Sequence, residues 1–211
     1  MLLFGTFNFS PIFAHCPPKA KPKSQNHGMQ NLNQLNIDLK NYLEEKTGQL
    51  IEALVQVLKG EIADDLNGKI KTDRVAYYFE YEYDFLDITA WTVDQSGAVI
   101  TNPVFLFPQR EKRSDQKEEW SAFLPEKIWT AATDFQEQYE DDEDFDDAWD
   151  EYNEAKYELF ENWFFDGWKK ASAQTESKID AYFSIHDTYF KTDLNTWQTI
   201  NDDEIAKRYT S

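Results

Sequence analysis

Apolar residues recur every three or four positions along residues 29–58, and this spacing predicts an amphipathic helix. Gly48 interrupts the run, and a glycine inside a helix costs about 1 kcal/mol relative to alanine. The segment is therefore expected to form either one helix or two helices divided near Gly48. Its apolar positions are Leu32, Leu35, Leu39, Leu43, Leu50, Ile51, Leu54, Val55 and Leu58.

Apolar and polar residues then alternate, which is the pattern of a strand with one buried face. Alternation predicts a strand over residues 74–83, a second over 86–93 and a third over 98–101. A turn at residues 94–97 separates the second strand from the third, and Gly97 suits its tight geometry. The three strands are expected to form an antiparallel meander. The apolar face of the first strand consists of Val75, Tyr77, Phe79, Tyr81 and Tyr83.

Two helices are predicted in the next part of the chain, over residues 125–139 and 145–173. Pro125 suits the first turn of a helix, where its missing N–H would be unpaired in any case. The longer helix has a wide apolar face, as expected for a helix that lies on a sheet, and Lys156 occupies one position within that face. The apolar face consists of Phe145, Trp149, Tyr152, Leu159 and Trp163, with Phe160, Phe164 and Trp168 in an adjacent row.

The C-terminal residues predict a return to strands. Residues 179–186 form one strand, residues 187–194 extend it or pair with it, and residues 197–200 form a last strand before a short helix that ends near Arg208. The predicted fold class is α+β. Its sheet is mostly antiparallel and contains the three-strand meander plus the C-terminal strands, and three to four helices pack on one face.

The N-terminal residues 1–28 are set apart from this pattern. No Lys or Arg precedes Lys19, and Pro11 breaks the short apolar run, so a secretory signal is disfavoured. We expect residues 1–28 to be a disordered tail or an over-extended start, and residues 29–211 to form a single α+β domain. Cys16 is the one cysteine, which rules out an intramolecular disulfide, and we expect a cytoplasmic location.

The composition indicates a folded and strongly acidic protein. Aromatic residues make up 16% of the chain, which argues against wholesale disorder because disordered chains contain few aromatics. The net charge of −19 disfavours direct binding to nucleic acid or to an anionic membrane, since phosphate contacts need clustered Lys and Arg. The same charge favours a basic protein partner.

Acidic residues are concentrated in residues 134–166, where fifteen of them accompany one lysine. A carboxylate at the start of a helix is stabilised by the helix dipole by about 0.3–1 kcal/mol, but residues 140–147 hold more carboxylates than capping needs. We therefore predict that this acidic corner binds a basic partner. Its predicted partner-binding residues are Glu140, Asp141, Asp142, Glu143, Asp144, Asp146 and Asp147.

The acidic corner also matches part of an EF-hand calcium loop. Asp142, Asp144, Asp146 and Asp150 have the spacing of the first, third, fifth and ninth loop positions. The positions that need a turn-forming Gly and a bidentate Glu carry other residues, so no metal site is predicted. No cofactor is predicted either, because the sequence has neither G-x-G-x-x-G nor a P-loop.

Catalytic candidates are few. His186 is the one histidine within residues 29–211, and it precedes Asp187, so the two could form half of a base–orienter arrangement. Ser184 lies two residues away on the same strand face, which is not the geometry of a nucleophile elbow. We assign no catalytic residue and favour binding over enzymatic activity.

These observations lead to one expected function and two alternatives. We expect a non-enzymatic binding protein that docks a basic protein partner through residues 140–147. In charge and architecture the chain resembles small bacterial immunity proteins, which inhibit cationic nuclease toxins, although it matches no motif of theirs residue by residue. One alternative is a hydrolase-type enzyme that uses His186 and carboxylates. The other is a DNA-mimic inhibitor, in which the carboxylates of residues 134–166 are spaced like phosphates.

Overall fold

The structure is a computed structural model, and it describes residues 23–61, 64–66, 68–107, 111–112, 121–139 and 145–209. None of the helices within these ranges has an apolar stretch long enough to cross a membrane. The helices are α1 (Lys23–Leu58), α2 (Glu126–Tyr139), α3 (Phe145–Thr175) and α4 (Asp202–Tyr209), and a 3-10 turn covers Lys71–Asp73.

The strands form one six-stranded sheet in the order β3-β2-β1-β6-β7-β8, and a separate two-stranded pair, β4-β5. β1 and β6 occupy the centre of the large sheet and run parallel, whereas its other four pairings are antiparallel. The prediction of an α+β fold with a mostly antiparallel sheet is therefore confirmed. The strands are β1 (Ala76–Tyr81), β2 (Ile88–Val93), β3 (Val104–Phe105), β4 (Glu111–Lys112), β5 (Ser121–Ala122), β6 (Asp180–Ile185), β7 (Phe190–Asp193) and β8 (Gln198–Asn201).

One face of the large sheet is covered by α1 and α3, and the main core lies between these two layers. Phe79 of β1 and Phe183 of β6 point to this face, and Phe183 stacks on Phe164 of α3 with 4.0 Å between ring centroids. Burying one such ring contributes about 1.5–3 kcal/mol. The alternation seen in residues 74–83 and the wide apolar row of α3 are thus two sides of the same interface.

The first helix is continuous through Gly48, so the alternative of two divided helices is wrong. Neighbouring contacts hold the backbone in this region. The Thr47 hydroxyl donates to the Leu43 carbonyl at 3.0 Å, and the Trp163 indole N–H of α3 donates to the Thr47 hydroxyl at 3.0 Å. Packing against α3 therefore outweighs the weak helix propensity of one glycine.

The short helix α4 packs on the opposite face of the sheet, where the prediction placed no helix. Tyr182 of β6 points to this face and is fully buried there, so the face needs a cover. Arg208 of α4 donates to buried Asp193 at 2.7 Å, and the Tyr209 hydroxyl donates to Asp180 at 2.7 Å. These bonds hold α4 over one half of the face and leave the other half uncovered by any described helix.

The third strand of the meander also differs from the prediction. Residues 98–101 form only isolated bridges, Val99 with Val93 and Thr101 with Asp65. The third strand of the sheet is β3, which follows Pro103 instead of preceding it. The hydroxyl of Thr101 accepts the backbone N–H of Thr92, and this contact takes the place of a regular strand pairing.

A single lysine interrupts the apolar face of α3, as the sequence indicates. Lys156 is 7% exposed, donates to the Tyr83 carbonyl at 3.1 Å, and lies 4.8 Å from the ring centroid of Tyr157. Burial lowers the pKa of Lys156 to about 8, against the opposing influence of the nearby Asp84 and Glu82 carboxylates.

Candidate functional site

The predicted acidic corner is described only in part. Asp146 and Asp147 lie in the first turn of α3 and are exposed, as the helix dipole favours. Nowhere in the described ranges do three or more His, Cys, Asp or Glu side chains converge as a metal site would require. The other predicted partner-binding residues, which include half of the EF-hand-like pattern, lie outside the described residues: Glu140, Asp141, Asp142, Glu143 and Asp144.

His186 lies directly after β6, on the half of the sheet face that α4 leaves uncovered. Its side chain is 55% exposed, with Nδ1 3.1 Å from Oε2 of Glu80 and Nε2 3.4 Å from Oδ1 of Asp187. The hydrogen bond to Glu80 raises the pKa of His186 above its usual value. Partial burial opposes this rise, and the charge of Asp187 adds to it.

Glu80 also contacts the buried side chain of Lys191. Its Oε1 lies 3.5 Å from Nζ of Lys191, which is 7% exposed, and the same Nζ lies 3.5 Å from Oδ1 of Asp202 in α4. Ser184 lies between Glu80 and Lys191 in the strand order and is buried, yet no described residue hydrogen-bonds to its hydroxyl. The serine is therefore not activated by His186.

Beside this row, the uncovered half of the face forms a groove of about 500 Å³. We call it the acidic groove. Its polar side contains Glu80 and His186 together with two further carboxylates that backbone N–H groups hold in place. Glu82 Oε2 accepts from Asp84 N at 2.9 Å and from Phe85 N at 3.1 Å, and Asp87 Oδ1 accepts from Phe123 N at 3.0 Å.

The other side of the acidic groove is apolar. Trp91 of β2 stacks one face of its indole on Tyr78, with 5.7 Å between centroids and 11° between planes, and the indole also lines the groove. Phe105 pairs with Thr89 across β2 and β3 and is 44% exposed, and Val99 is 46% exposed. The apolar lining consists of Tyr81, Phe85, Trp91, Val99, Pro103 and Phe105.

The acidic groove therefore combines fixed negative charge with aromatic surface. Such a lining suits a ligand that has a positively charged group on an apolar frame. The carboxylates attract the positive charge, and the faces of the aromatic rings attract it through cation–π interactions. A volume of about 500 Å³ is within the usual range of ligand pockets, about 300–1,000 Å³. Since one His186 nitrogen faces Glu80 and the other faces Asp187, the imidazole is held between two carboxylates.

Sequence reasoning found His186 but missed the groove around it. Glu80 and Glu82 alternate with the apolar residues of β1, a pattern normally produced by a solvated strand face. Phe105 follows Pro103 in a segment where no strand was expected. The one available signal was Trp91, a large aromatic on the predicted polar side of the second strand.

Comparison with protein-family models, with curated proteins and with solved structures finds no match to this chain. The geometry of the acidic groove and the charge of the chain are therefore the features that indicate a function.

Proposed function

We propose that this chain is a non-enzymatic acidic binding protein that docks a basic segment of a protein partner in the acidic groove. The observation that carries the proposal is the pairing, within one groove, of the carboxylates Glu80, Glu82 and Asp87 with the exposed apolar surface around Trp91 and Phe105. Aromatic surface next to fixed charge is typical of the few residues that dominate binding energy at protein interfaces.

The rest of the acidic surface supports the approach of such a partner. The exposed carboxylates of α3 extend from its first turn to Asp166, and the chain carries a net charge of −19. Long-range attraction of this kind raises association rates and makes them sensitive to salt. Residues 140–147 are proposed to act in this way, as a steering surface of an immunity-like inhibitor. The exposed carboxylates of α3 are Asp146, Asp147, Asp150, Glu151, Glu154, Glu158 and Asp166.

The test uses a basic amphipathic nonapeptide of alternating Arg and Leu, with an alternating Glu and Leu peptide as the negative probe. Thr89→Lys places a cation inside the acidic groove, between Glu80 and Phe105. Thr199→Lys makes the same change on the exposed edge strand β8 and serves as the matched control. Both variants change the net charge equally.

We expect Thr89→Lys to weaken binding of the basic peptide at least about tenfold, since like charges in an interface cost about 1.4 kcal/mol or more. Thr199→Lys should bind within about twofold of the native chain, because a distant rim charge changes affinity little. Equal affinities of the two variants, or equal binding of the acidic peptide, would refute the proposal.

A second candidate function is a hydrolase-type enzyme, because His186 with its carboxylate partner Glu80 lies at a cleft. The arrangement lacks a nucleophile that contacts the imidazole, since no described residue hydrogen-bonds to the Ser184 hydroxyl. Turnover of p-nitrophenyl acetate or p-nitrophenyl phosphate that disappears in His186→Gln would favour this candidate. Turnover equal to buffer in both proteins would reject it for these two substrates.

A further inference from the structure

The acidic groove places an indole face and carboxylates side by side, and this arrangement favours one type of side chain. Trp91 pairs with Tyr78 across β1 and β2, and Thr89 pairs with Glu80, so Trp91 and Glu80 are diagonal neighbours on the same face. Diagonal neighbours lie about 7 Å apart. A flat cation that lies over the Trp91 indole can therefore reach the Glu80 carboxylate with its edge.

Glu82 is a carboxylate of the groove that has no direct cationic partner among the described residues. Its Oε2 accepts the backbone N–H groups of Asp84 and Phe85, and within the described ranges Lys156 and His186 act on its charge only from beyond salt-bridge distance. Glu80, by contrast, contacts both His186 and Lys191. Glu82 therefore remains able to form a direct ion pair with an incoming cation.

From this geometry we propose that an arginine side chain is the anchor that the acidic groove receives, with its guanidinium plane on Trp91 and its N–H groups directed to the carboxylates of Glu80 and Glu82. The inference rests on the proposed function, since it names the group of the basic partner that enters the groove. A guanidinium is planar, weakly hydrated and able to bind a carboxylate through two parallel hydrogen bonds. A lysine ammonium is compact and strongly hydrated, so it loses more on entering an apolar lining.

The test compares three pentapeptides, acetyl-Gly-Leu-X-Leu-Gly-amide, in which X is arginine, lysine or citrulline. Citrulline keeps the shape of arginine without its charge. Affinities are measured by calorimetry, and the site of binding is identified from the indole N–H signal of Trp91 in NMR spectra. We expect the arginine peptide to bind about tenfold tighter than the lysine peptide and more than tenfold tighter than the citrulline peptide.

Two protein variants separate the contributions of charge and ring. Glu82→Gln keeps an oxygen that accepts the two backbone N–H groups but removes the charge, and it should weaken the arginine peptide about tenfold. Trp91→Leu should remove the preference for arginine over lysine, whereas Trp197→Leu, at an exposed indole outside the groove, should retain it.

The outcomes distinguish this inference from the proposed function. Equal affinities of the arginine and lysine peptides, or of the arginine and citrulline peptides, overturn the arginine anchor. If Thr89→Lys still weakens binding of the basic nonapeptide at least about tenfold in that case, docking in the acidic groove stands without this anchor. If neither the nonapeptide nor the pentapeptides bind, both proposals fall.

Discussion

Glu80 and His186 are joined by a 3.1 Å contact between Oε2 and Nδ1, at the boundary between the polar and apolar sides of the acidic groove. Glu80 lies in β1 and His186 directly follows β6, and these two central strands pair in parallel. The contact raises the pKa of His186 above its usual value, and protonation of the ring adds a positive charge to the groove. Protonation should therefore control cation binding.

Affinity for the arginine peptide should fall as the pH is lowered through the pKa of His186. Protonated His186 adds a positive charge beside Glu80 and Glu82 and repels the guanidinium, and Asp187 and the Glu80-bound Lys191 are the other charges near it. We expect a severalfold loss between about pH 8.5 and pH 5.5, measured by calorimetry. His186→Gln should flatten the profile, and an unchanged profile in that variant would contradict the assignment.

The same raised pKa has a defined effect on folding. Because folded His186 binds its proton more tightly than the unfolded chain does, the contact with Glu80 stabilises the fold most below the unfolded pKa. This contribution is lost as the pH rises through the folded pKa. The side chain is 55% exposed, so the effect on the free energy of unfolding is small.

Replacing Lys156 by methionine should stabilise the protein at neutral pH. The folded pKa of Lys156 is about 8 and the ordinary value is 10.5, so the unfolded chain binds more protons between these limits. Stability of the native protein therefore rises with pH across this window. We expect Lys156→Met to raise the free energy of unfolding by about 1–3 kcal/mol at pH 7, with the gain shrinking towards pH 10.5.

Urea denaturation at pH 7 and pH 10 measures the Lys156 effect, with Lys170→Met as the control. Lys170 lies on the same helix and is exposed, so its replacement should change stability by less than about 0.5 kcal/mol at either pH. If Lys156→Met lowers the free energy of unfolding equally at pH 7 and at pH 10, burial of the charged amine does not destabilise the native protein as proposed.

Two glycines in helices should respond to alanine in opposite directions. A Cβ at Gly167 of α3 would collide with the Leu50 side chain of α1, whereas a Cβ at Gly48 would have no heavy atom within 4 Å. Gly167→Ala should therefore lower the free energy of unfolding by about 1–3 kcal/mol through overpacking. Gly48→Ala should raise it by about 0.5–1 kcal/mol through helix propensity.

Thermal and urea denaturation of the two alanine variants measure this contrast directly. The substitution is chemically identical at the two sites, so composition and unfolded-state effects are matched. Stabilisation of both variants to the same extent would show that α1 and α3 do not approach each other as closely at Gly167 as the structure has it.

The local periodicity of the sequence predicted the buried faces of helices and strands, because these depend on residues that are close along the chain. The alternation around Phe79 and the row containing Phe160 and Phe164 identified the two surfaces that form the main core. The parallel pairing of β1 with β6 could not be predicted, because about a hundred residues separate Tyr78 from its neighbour Tyr182. The acidic groove depends on that pairing, since Glu80 lies in β1 and His186 directly follows β6.

The placement of α4 and β3 depended on long-range contacts for the same reason. The Arg208 contact with Asp193 holds α4 on the second face, and nothing in the local pattern of α4 indicates which face it covers. Because α4 covers only one half, the other half remains as the acidic groove. Acidic residue counts pointed instead to residues 140–147, where the charge is densest in the sequence.

Docking in the acidic groove is tested most directly by locating a bound basic peptide on the protein. Methyl and indole NMR signals are followed while the Arg–Leu nonapeptide is added at moderate salt. We expect the largest shifts at the Thr89 methyl group and the Trp91 indole, in the acidic groove. Largest shifts along the exposed carboxylates of α3, with Thr89 and Trp91 unchanged, would contradict this expectation.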